Sequence, residues 1–528
     1  MKELTKLERL AKLGKITRRE FLAGLSALGL TAAFSPSMMP TPAHASVPKR
    51  GGRLRIGSSG GGTTDSLDPR TILDTMPYLI NTQLRNHLVE IDYKSHAIAC
   101  LAESWESTPD AVTWTFNLRK DVEFHNGKTM DAEDVIYSIN LHRGKDSKSG
   151  AATIVKPIKE VTKDGKYSVV FTLKDGNVDF PFVLGMTQLS IVPSGTTDFK
   201  DGVGTGPYLL VSYEPGVRAL TKRNPNYWKQ GRAHFDEVET LGINDTNSRT
   251  NALISGQIDV MDRIDRKTAH LLEKNAGIQV LHINGTWHYT FPMRTDTQPF
   301  DNNDVRLGLK HAIDRESLVK TILRNYGRVA NDHPIAPANP YYAHELPQRQ
   351  YDPDKARYYL KKAGMLDYTF KLHTSDAAFA GAVDASVLYS EHANKAGIKI
   401  EVVREPEDGY WSNVWTKKPW ATAYWYGRVT ADWMFSIVYA DNAAWNDTYW
   451  KHERFNKLLK EARAEFNETK RHEMYAEMQG LVSNEGGVVI PCFVNNLFAA
   501  SSKLKFENIS PNFDFDGLLL HERWWFGS

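Results

Sequence analysis

The segment from Tyr410 to Trp450 concentrates the side chains best suited to gripping a small molecule. It holds 13 aromatics in 41 residues, where a chain that is 11% aromatic would place between four and five. Seven of the 13 tryptophans fall there: Trp411, Trp415, Trp420, Trp425, Trp433, Trp445 and Trp450. Indole rings fill cores, and they also give rigid faces against which peptide, sugar or cationic groups stack. At least two of these rings are expected to line a ligand, Trp425 first among them. Catalytic signatures are sparse by comparison. Gly57-Ser58-Ser59-Gly60-Gly61 satisfies the nucleophile-elbow pattern, but that device needs a helix after the serine, and Thr63 to Pro69 reads as loop. The chain has no His-Glu-x-x-His, no Walker loop and no full dinucleotide fingerprint. Asn512, Asp514, Asp516, Gly517 and Glu522 approach a calcium loop with the Glu one residue early, so turn chemistry before a final strand is the expectation. Cys100 and Cys492 are too few for a disulfide framework or a thiolate cluster. They pair if their Cβ atoms approach to about 4 Å, and otherwise Cys492 is a free thiol in the strand-like run Val488 to Val494.

The elements that must position such residues are legible as alternating short strands and helices. Arg53 to Gly57, Thr113 to Leu118 and Ser168 to Leu173 read as strands, the latter two with period-two alternation. Asp131 to Asp134 followed by Val135, Ile136 and Ile139 reads as a capped helix with acids in its first turn. Asp304 to Asn325, Asp354 to Ala363 and Glu453 to Ser483 have helical periodicity, and Pro353 after Asp352 is a helix start. Gly204, Gly206 and Pro207 punctuate a turn into a strand from Tyr208 to Val211, where glycine permits backbone angles that other residues resist. Trp105, Trp114 and Trp228 are expected in cores.

With 528 residues, 41% of them apolar and 24% charged, the chain is long enough for two or three domains. A net charge of +2 offers no basic field for nucleic acid or an anionic membrane. Residues 1–45 read as a twin-arginine signal peptide. A basic stretch ends in Thr17-Arg18-Arg19-Glu20-Phe21-Leu22, a short apolar run reaches Phe34, and Ala43-His44-Ala45 supplies a cleavage site. Its seven basic and three acidic residues carry +4, so removal turns +2 into −2. The apolar run is too short to span a bilayer, which needs about 20 apolar residues. No cysteine follows it, so a mature protein free in a periplasm, without a lipid or membrane anchor, is expected.

Many segments, in order, resemble the extracytoplasmic solute-binding proteins of peptide and nickel ABC importers. They include Leu67-Asp68-Pro69, Leu101-Ala102-Glu103-Ser104-Trp105-Glu106, Phe124-His125-Asn126-Gly127, Gly204-Thr205-Gly206-Pro207-Tyr208 and Asn224-Pro225-Asn226-Tyr227-Trp228. Leu253 to Val260, Pro299-Phe300-Asp301, Ala312-Ile313-Asp314-Arg315 and Tyr351-Asp352-Pro353-Asp354-Lys355-Ala356 follow. The resemblance implies an α/β fold, a two-lobed periplasmic binding protein with an extra small domain on the first lobe. By analogy lobe I takes 46–90, 205–290 and 493–528, the extra domain 91–204, and lobe II 291–492. It implies a receptor that captures a peptide-like or other small organic solute between the lobes and delivers it to the permease and ATPase subunits of an importer. No catalytic residue, no cofactor and no nucleic-acid partner are expected, and the chain is expected to be a monomer. The competing readings are a twin-arginine-exported periplasmic hydrolase, or a binding protein for a metal chelate, haem or an anionic sugar conjugate.

Two departures from the family bear on the ligand. Peptide-binding relatives carry a Trp followed three residues later by an Asp that pairs with the ligand's α-amino group. Trp425-Tyr426-Gly427-Arg428 falls on that segment with Arg428 at the amine-binding position. A guanidinium repels an ammonium and makes bidentate bonds to carboxylate, phosphate or sulfate. Three arrangements fit: Arg428 meets a ligand anion, Arg428 pairs internally with an acid such as Asp432, or the register slides by four and Asp432 is the amine anchor. Dipeptide-binding relatives also hold the ligand carboxylate with an Arg ahead of a helix that here runs from Ala382 to Ala396, and Ser375 to Gly397 contains no Arg. The candidate ligand contacts are therefore Arg428, Trp425, Tyr426, Trp433, Asp432, Trp411 and Trp445, with Arg404, Arg294, His288, Asn442, Asn446 and Asp447 as further polar groups.

Overall fold

Nine strands assemble into one mixed sheet, and the two period-two runs, Thr113–Leu118 and Ser168–Leu173, pair with each other in a separate one. The computed structural model describes residues 48–144, 147–441, 443 and 445–527, so residues 1–45, read above as an export signal, and Asn442 lie outside the described residues. The strands of the nine-stranded sheet are Arg53–Ser58 (β1), Tyr208–Glu214 (β2), Arg218–Arg223 (β3), Glu237–Gly242 (β4), Val260–Met261 (β5), Ile278–Pro292 (β6), Gly327–Val329 (β7), Ala423–Trp425 (β8) and Val488–Ser501 (β9). Their order is β8-β6-β9-β5-β1-β4-β3-β2, with β7 also on β9. β1 runs parallel to β4 and β5, and the other pairs are antiparallel.

The two longest strands connect separate cores. β6 pairs with β9 from Ile278↔Ser501 to Ile283↔Asn496, loses register, and resumes at Trp287↔Val494 down to Pro292↔Val488. One side of the break packs on a core containing Leu54, Ile56, Phe235, Phe498 and Trp524. The other packs on one containing Phe291, Phe370, Tyr389 and Trp420. A four-stranded antiparallel sheet of Ala102–Ser107, Thr113–Leu118, Ser168–Leu173 and Ile158–Lys163 has its own core of Trp114, Phe116, Phe171 and Phe180. Thr113–Leu118 and Ser168–Leu173 bury every second side chain, as their alternation requires.

Helix starts follow their caps. The helices used below are Thr75–Leu84 (α1), Asn303–His311 (α2), Arg315–Thr321 (α3), Ala382–Asn394 (α4), Ala431–Val438 (α5) and Glu468–Glu485 (α6). Asp131 and Asp134 form a capping box on Ala132–Asn140, and Asp352 caps Pro353–Lys362 with Pro353 in the first turn. Two periodic stretches read as single helices are each split by an internal cap. Asp314 accepts from Ser317 N at 2.9 Å and starts α3 after α2 has ended. Asn467 accepts from Lys470 N at 3.1 Å and starts α6 after Glu453–Ala464. Asn and Asp cap new helices more strongly than they continue old ones.

Other expectations needed a different physical reason. Gly204 and Gly206 have ordinary φ. They are glycines because a Cβ would fall 2.2 Å from Leu84 O and 2.3 Å from Leu84 C, so the turn is pressed against the end of α1. Trp114 is buried, while Trp105 and Trp228 pack half-buried at the edge of the same core. Cys100 and Cys492 are both buried and free, so they do not pair. Burial raises both thiols, Cys100 to about 11 and Cys492 to about 12. Among the described residues no helix is long and apolar enough to cross a membrane.

Candidate functional site

A cavity of about 1620 Å³ opens beside the register break of β6 and β9. Its walls come from α1 (Thr75, Tyr78), the loop after β5 (Arg263, Arg266), β6 (Trp287, Tyr289), α4 (Asp384, Leu388), the end of β8 and α5 (Tyr426, Arg428, Trp433), and the C-terminal segment (Asn495, Asp514). Segments more than 400 residues apart in the chain therefore share one wall.

β6 and β8 set the aromatic face. His288 pairs with Trp425 and Tyr289 with Tyr424. Successive strand residues point to opposite sides, so Trp287, Tyr289, Tyr424 and Tyr426 share one side, and His288 and Trp425 the other. The rings bear this out. Trp287 stacks on Tyr426 at 5.0 Å and 25°, and meets Tyr424 and Tyr289 edge-on at 5.7 and 5.9 Å. Gly427 allows the close approach, since a Cβ there would lie 2.2 Å from Thr286 Cβ.

Trp425, the ring singled out from sequence, turns away from the cavity into the core of Phe435, Tyr439 and Phe493. Its indole N–H and that of Trp415 both donate to Asp447 Oδ2 at 3.2 Å. Asp447 therefore organises rings behind the wall. Burial pushes its carboxyl up to about 6, against the pull of the two indole donors. Trp445, which does line the cavity, packs on Trp425 at 5.9 Å.

Arg428 faces the cavity. Its Nη1 donates to Tyr426 O at 2.7 Å and to Gly427 O at 3.4 Å, and its guanidinium lies 5.6 Å from the Trp433 ring centroid. Burial alone lowers its pKa, and no carboxylate is paired with it among the described residues. A guanidinium stays charged under such a shift. Asp432 is engaged elsewhere: it takes Arg463 Nε at 3.0 Å, and Arg463 Nη2 continues to Ser436 Oγ at 2.6 Å. Thr430 caps α5, and the turn that follows sends Trp433, Ser436 and Ile437 to the cavity and Asp432 behind it. Both alternatives that enlisted Asp432, as internal partner of Arg428 or as amine anchor, are thus corrected.

Of the candidates, Arg428, Tyr426, Trp433 and Trp445 line the cavity. The others sit elsewhere. Arg294 is spent on Asp296 at 2.9 Å and on the face of Tyr449. Arg404 is exposed at the end of the strand Lys399–Arg404. Trp411 packs on Trp415 and Tyr424. Asn446 Nδ2 donates to Ala440 O and Trp450 O within its own loop. His288 is buried with Nδ1 facing Thr286 O at 3.2 Å, and burial drops it to about 4. Ser59 of the elbow pattern donates to Asp262 at 2.5 Å and is followed by loop, so no nucleophile is presented. Asp516 of the calcium-like run accepts Ser510 N and Trp524 Nε1 within the C-terminal turn, and Glu522 receives Lys229 at 3.0 Å from a distant segment, so these acids serve as cross-links.

Sequence reading missed Trp287, Arg263 and Arg266. Trp287 lies in a period-two strand where its parity with Tyr289 was a usable signal. The arginines follow the Leu253 to Val260 motif without any local mark. Arg263 is held by Asp514 at 3.2 Å and Thr75 Oγ1 at 2.8 Å, and beside it buried Asp262 is pushed up to about 6, first by burial and then by Asp514.

Comparison with known proteins fits this geometry. Residues 97–447 match the family model of the bacterial extracellular solute-binding proteins, family 5. The glutathione-binding protein GsiB of Salmonella paratyphi A is 25% identical over 460 residues, covering 84% of this chain and 89% of the relative. The oligopeptide-binding protein AppA of Bacillus subtilis is 24% identical over 520 residues, covering 90% and 92%. The periplasmic binding protein DppA of Helicobacter pylori, solved with the peptide STSA, superposes with a TM-score of 0.72 at 23% identity, covering 91% and 99%, and establishes the same two-lobed α/β fold. The chain belongs to the bacterial extracellular solute-binding proteins, family 5.

Proposed function

We propose that this protein is the extracytoplasmic receptor of an ABC importer, and that it captures a small peptide-like or other organic solute whose acidic group docks on Arg428. The observation that carries the ligand class is Arg428 itself: a half-buried guanidinium on the cavity wall, oriented by Tyr426 O and Trp433, with no acid paired to it among the described residues. A buried cation without a counter-charge is costly, and an incoming anion relieves that cost. The stacked Trp287 and Tyr426 beside it offer the flat apolar wall that small-molecule sites use.

The lobes in this reading are 46–90, 205–290 and 493–528 for the first, 91–204 for its extra domain, and 291–492 for the second. The separate core of the four-stranded sheet and the loss of register in β6 after Ile283 support those divisions. Ligand then contacts both lobes only when they close, so its differential affinity shifts the population toward the closed form. Closed receptor is what the membrane permease meets. The chain acts by binding, without turning its solute over, and residues 1–45 route it through the twin-arginine pathway to the periplasm.

Mass spectrometry of small molecules released from the purified protein tests the class directly. A solute bearing at least one acid group is expected, and adding it back should give a saturable change in tryptophan fluorescence with no product formed. A neutral or purely cationic cargo would overturn the anion reading.

A further inference from the structure

We infer that the cavity holds a second anion seat at Arg266, so that the solute carries two acidic groups, one at Arg428 and one at Arg266. The inference rests on the reading of Arg428 above and deepens it.

Arg266 sits in the loop after β5, and its guanidinium lies over the Trp287 ring at 5.6 Å. Nη2 reaches Asn495 O only at 3.4 Å, and Nε is shielded from water with no hydrogen-bond partner. Unmade bonds on a shielded donor are expensive, and a charged acceptor satisfies them best. From Arg266 a continuous strip crosses the wall. Trp287 stacks on Tyr426 at 5.0 Å, and Tyr426 O accepts Arg428 Nη1 at 2.7 Å. One guanidinium thus lies over Trp287 and the other bonds the backbone of Tyr426, the ring stacked on it. A solute of several bonds' length that lies on the rings presents one acid to each.

The acids of the cavity do not cancel these charges. Asp514 is taken by Arg263, and Glu90 by Lys229 and Arg523. Asp74, Asp265, Asp384 and Glu391 are exposed to solvent. The same distinction sets Arg266 apart from Lys267 and Arg324, which line the cavity but are exposed.

The test uses the mature protein, isothermal calorimetry, and a probe panel of dicarboxylates from succinate to suberate and glutamyl dipeptides, each beside its monoamide. Diacids of the right length are expected to bind at least tenfold more tightly than their monoamides. Arg266→Gln should erase that advantage, weakening the diacid tenfold to a hundredfold while leaving the monoamide within twofold. Arg266→Lys, which keeps the charge, should restore part of it. A panel in which no diacid exceeds its monoamide overturns the inference, and this comparison needs no variant. An Arg266→Gln protein that keeps the diacid preference also overturns it. If Arg428→Gln weakens diacid and monoamide alike while Arg266→Gln weakens neither, only the second seat fails. If Arg428→Gln changes nothing, the first reading fails with it.

Discussion

Replacing Arg428 by Ala removes a half-buried cation from the α5 side of the cavity. Its recorded bonds to Tyr426 O and Gly427 O both use Nη1, which leaves the Nε and Nη2 edge to receive a carboxylate as a fork. On the proposed closure of the lobes that carboxylate leaves water, and truncating its partner would strand it unpaired. Losses at buried charge pairs of this kind run about 2–5 kcal/mol. At 1.4 kcal/mol per decade this is about one and a half to three and a half decades in Kd. Arg428 also covers part of the Trp433 ring, so Arg428→Gln, which keeps bulk and drops charge, should lose nearly as much as the alanine variant. The stability of the empty protein should fall by only about 1 kcal/mol, because one short and one long bond to carbonyl oxygens are lost while a desolvated charge is relieved. Titration calorimetry with the released solute, alongside urea unfolding of the empty protein, separates the two effects. A change in Kd below threefold for either variant would refute the role assigned to this guanidinium.

Asp447 predicts a pH dependence. Its folded pKa of about 6 lies above the ordinary carboxylate value of 3.8, so the folded state holds the proton more tightly. Stability from this group is full below about pH 4 and falls away as pH rises through 6, by about 3 kcal/mol at most. Asp447→Asn should flatten that slope in urea titrations between pH 4 and 7, leaving the similar slope of Asp262; an unaltered profile contradicts the assignment. Asp332 has the opposite sign. Burial would raise its pKa, but Arg315 at 2.6 Å, Arg349 at 2.9 Å and Lys310 outweigh it and lower it, so its contribution is present at neutral pH and lost on acidification. Asp332→Asn should cost about 3–5 kcal/mol in chemical denaturation at pH 7, because two buried guanidinium groups lose their counter-charge; a cost below 1 kcal/mol would show the triad to be dispensable. Arg18→Lys with Arg19→Lys should strand the precursor in the cytoplasm, read by cell fractionation, whereas continued export would reject the twin-arginine route.

Local grammar was readable from the residues themselves. Period-two runs became strands, and Asp131, Asp352, Asp314 and Asn467 started helices because a side-chain acceptor meets free N–H groups wherever the chain places it. The order of short motifs marked the family, and the density of rings between Tyr410 and Trp450 marked a neighbourhood where four of the candidates, Tyr426, Arg428, Trp433 and Trp445, reach the cavity. Which ring of a neighbouring pair faces the cavity was decided by strand parity, and one residue of difference sends Trp425 to the core and Tyr426 to the cavity. The partners of that wall come from β6 and from the loop after β5, more than 130 residues earlier in the chain. Only the pairing of β6 with β8 brings Trp287 onto Tyr426. The fate of Asp432 likewise turned on Arg463, one helix further on, which no local pattern joins to it. Caps and alternation act within a few residues and so can be read along the chain, whereas a binding wall is a juxtaposition of distant strands and exists only once the sheet is assembled.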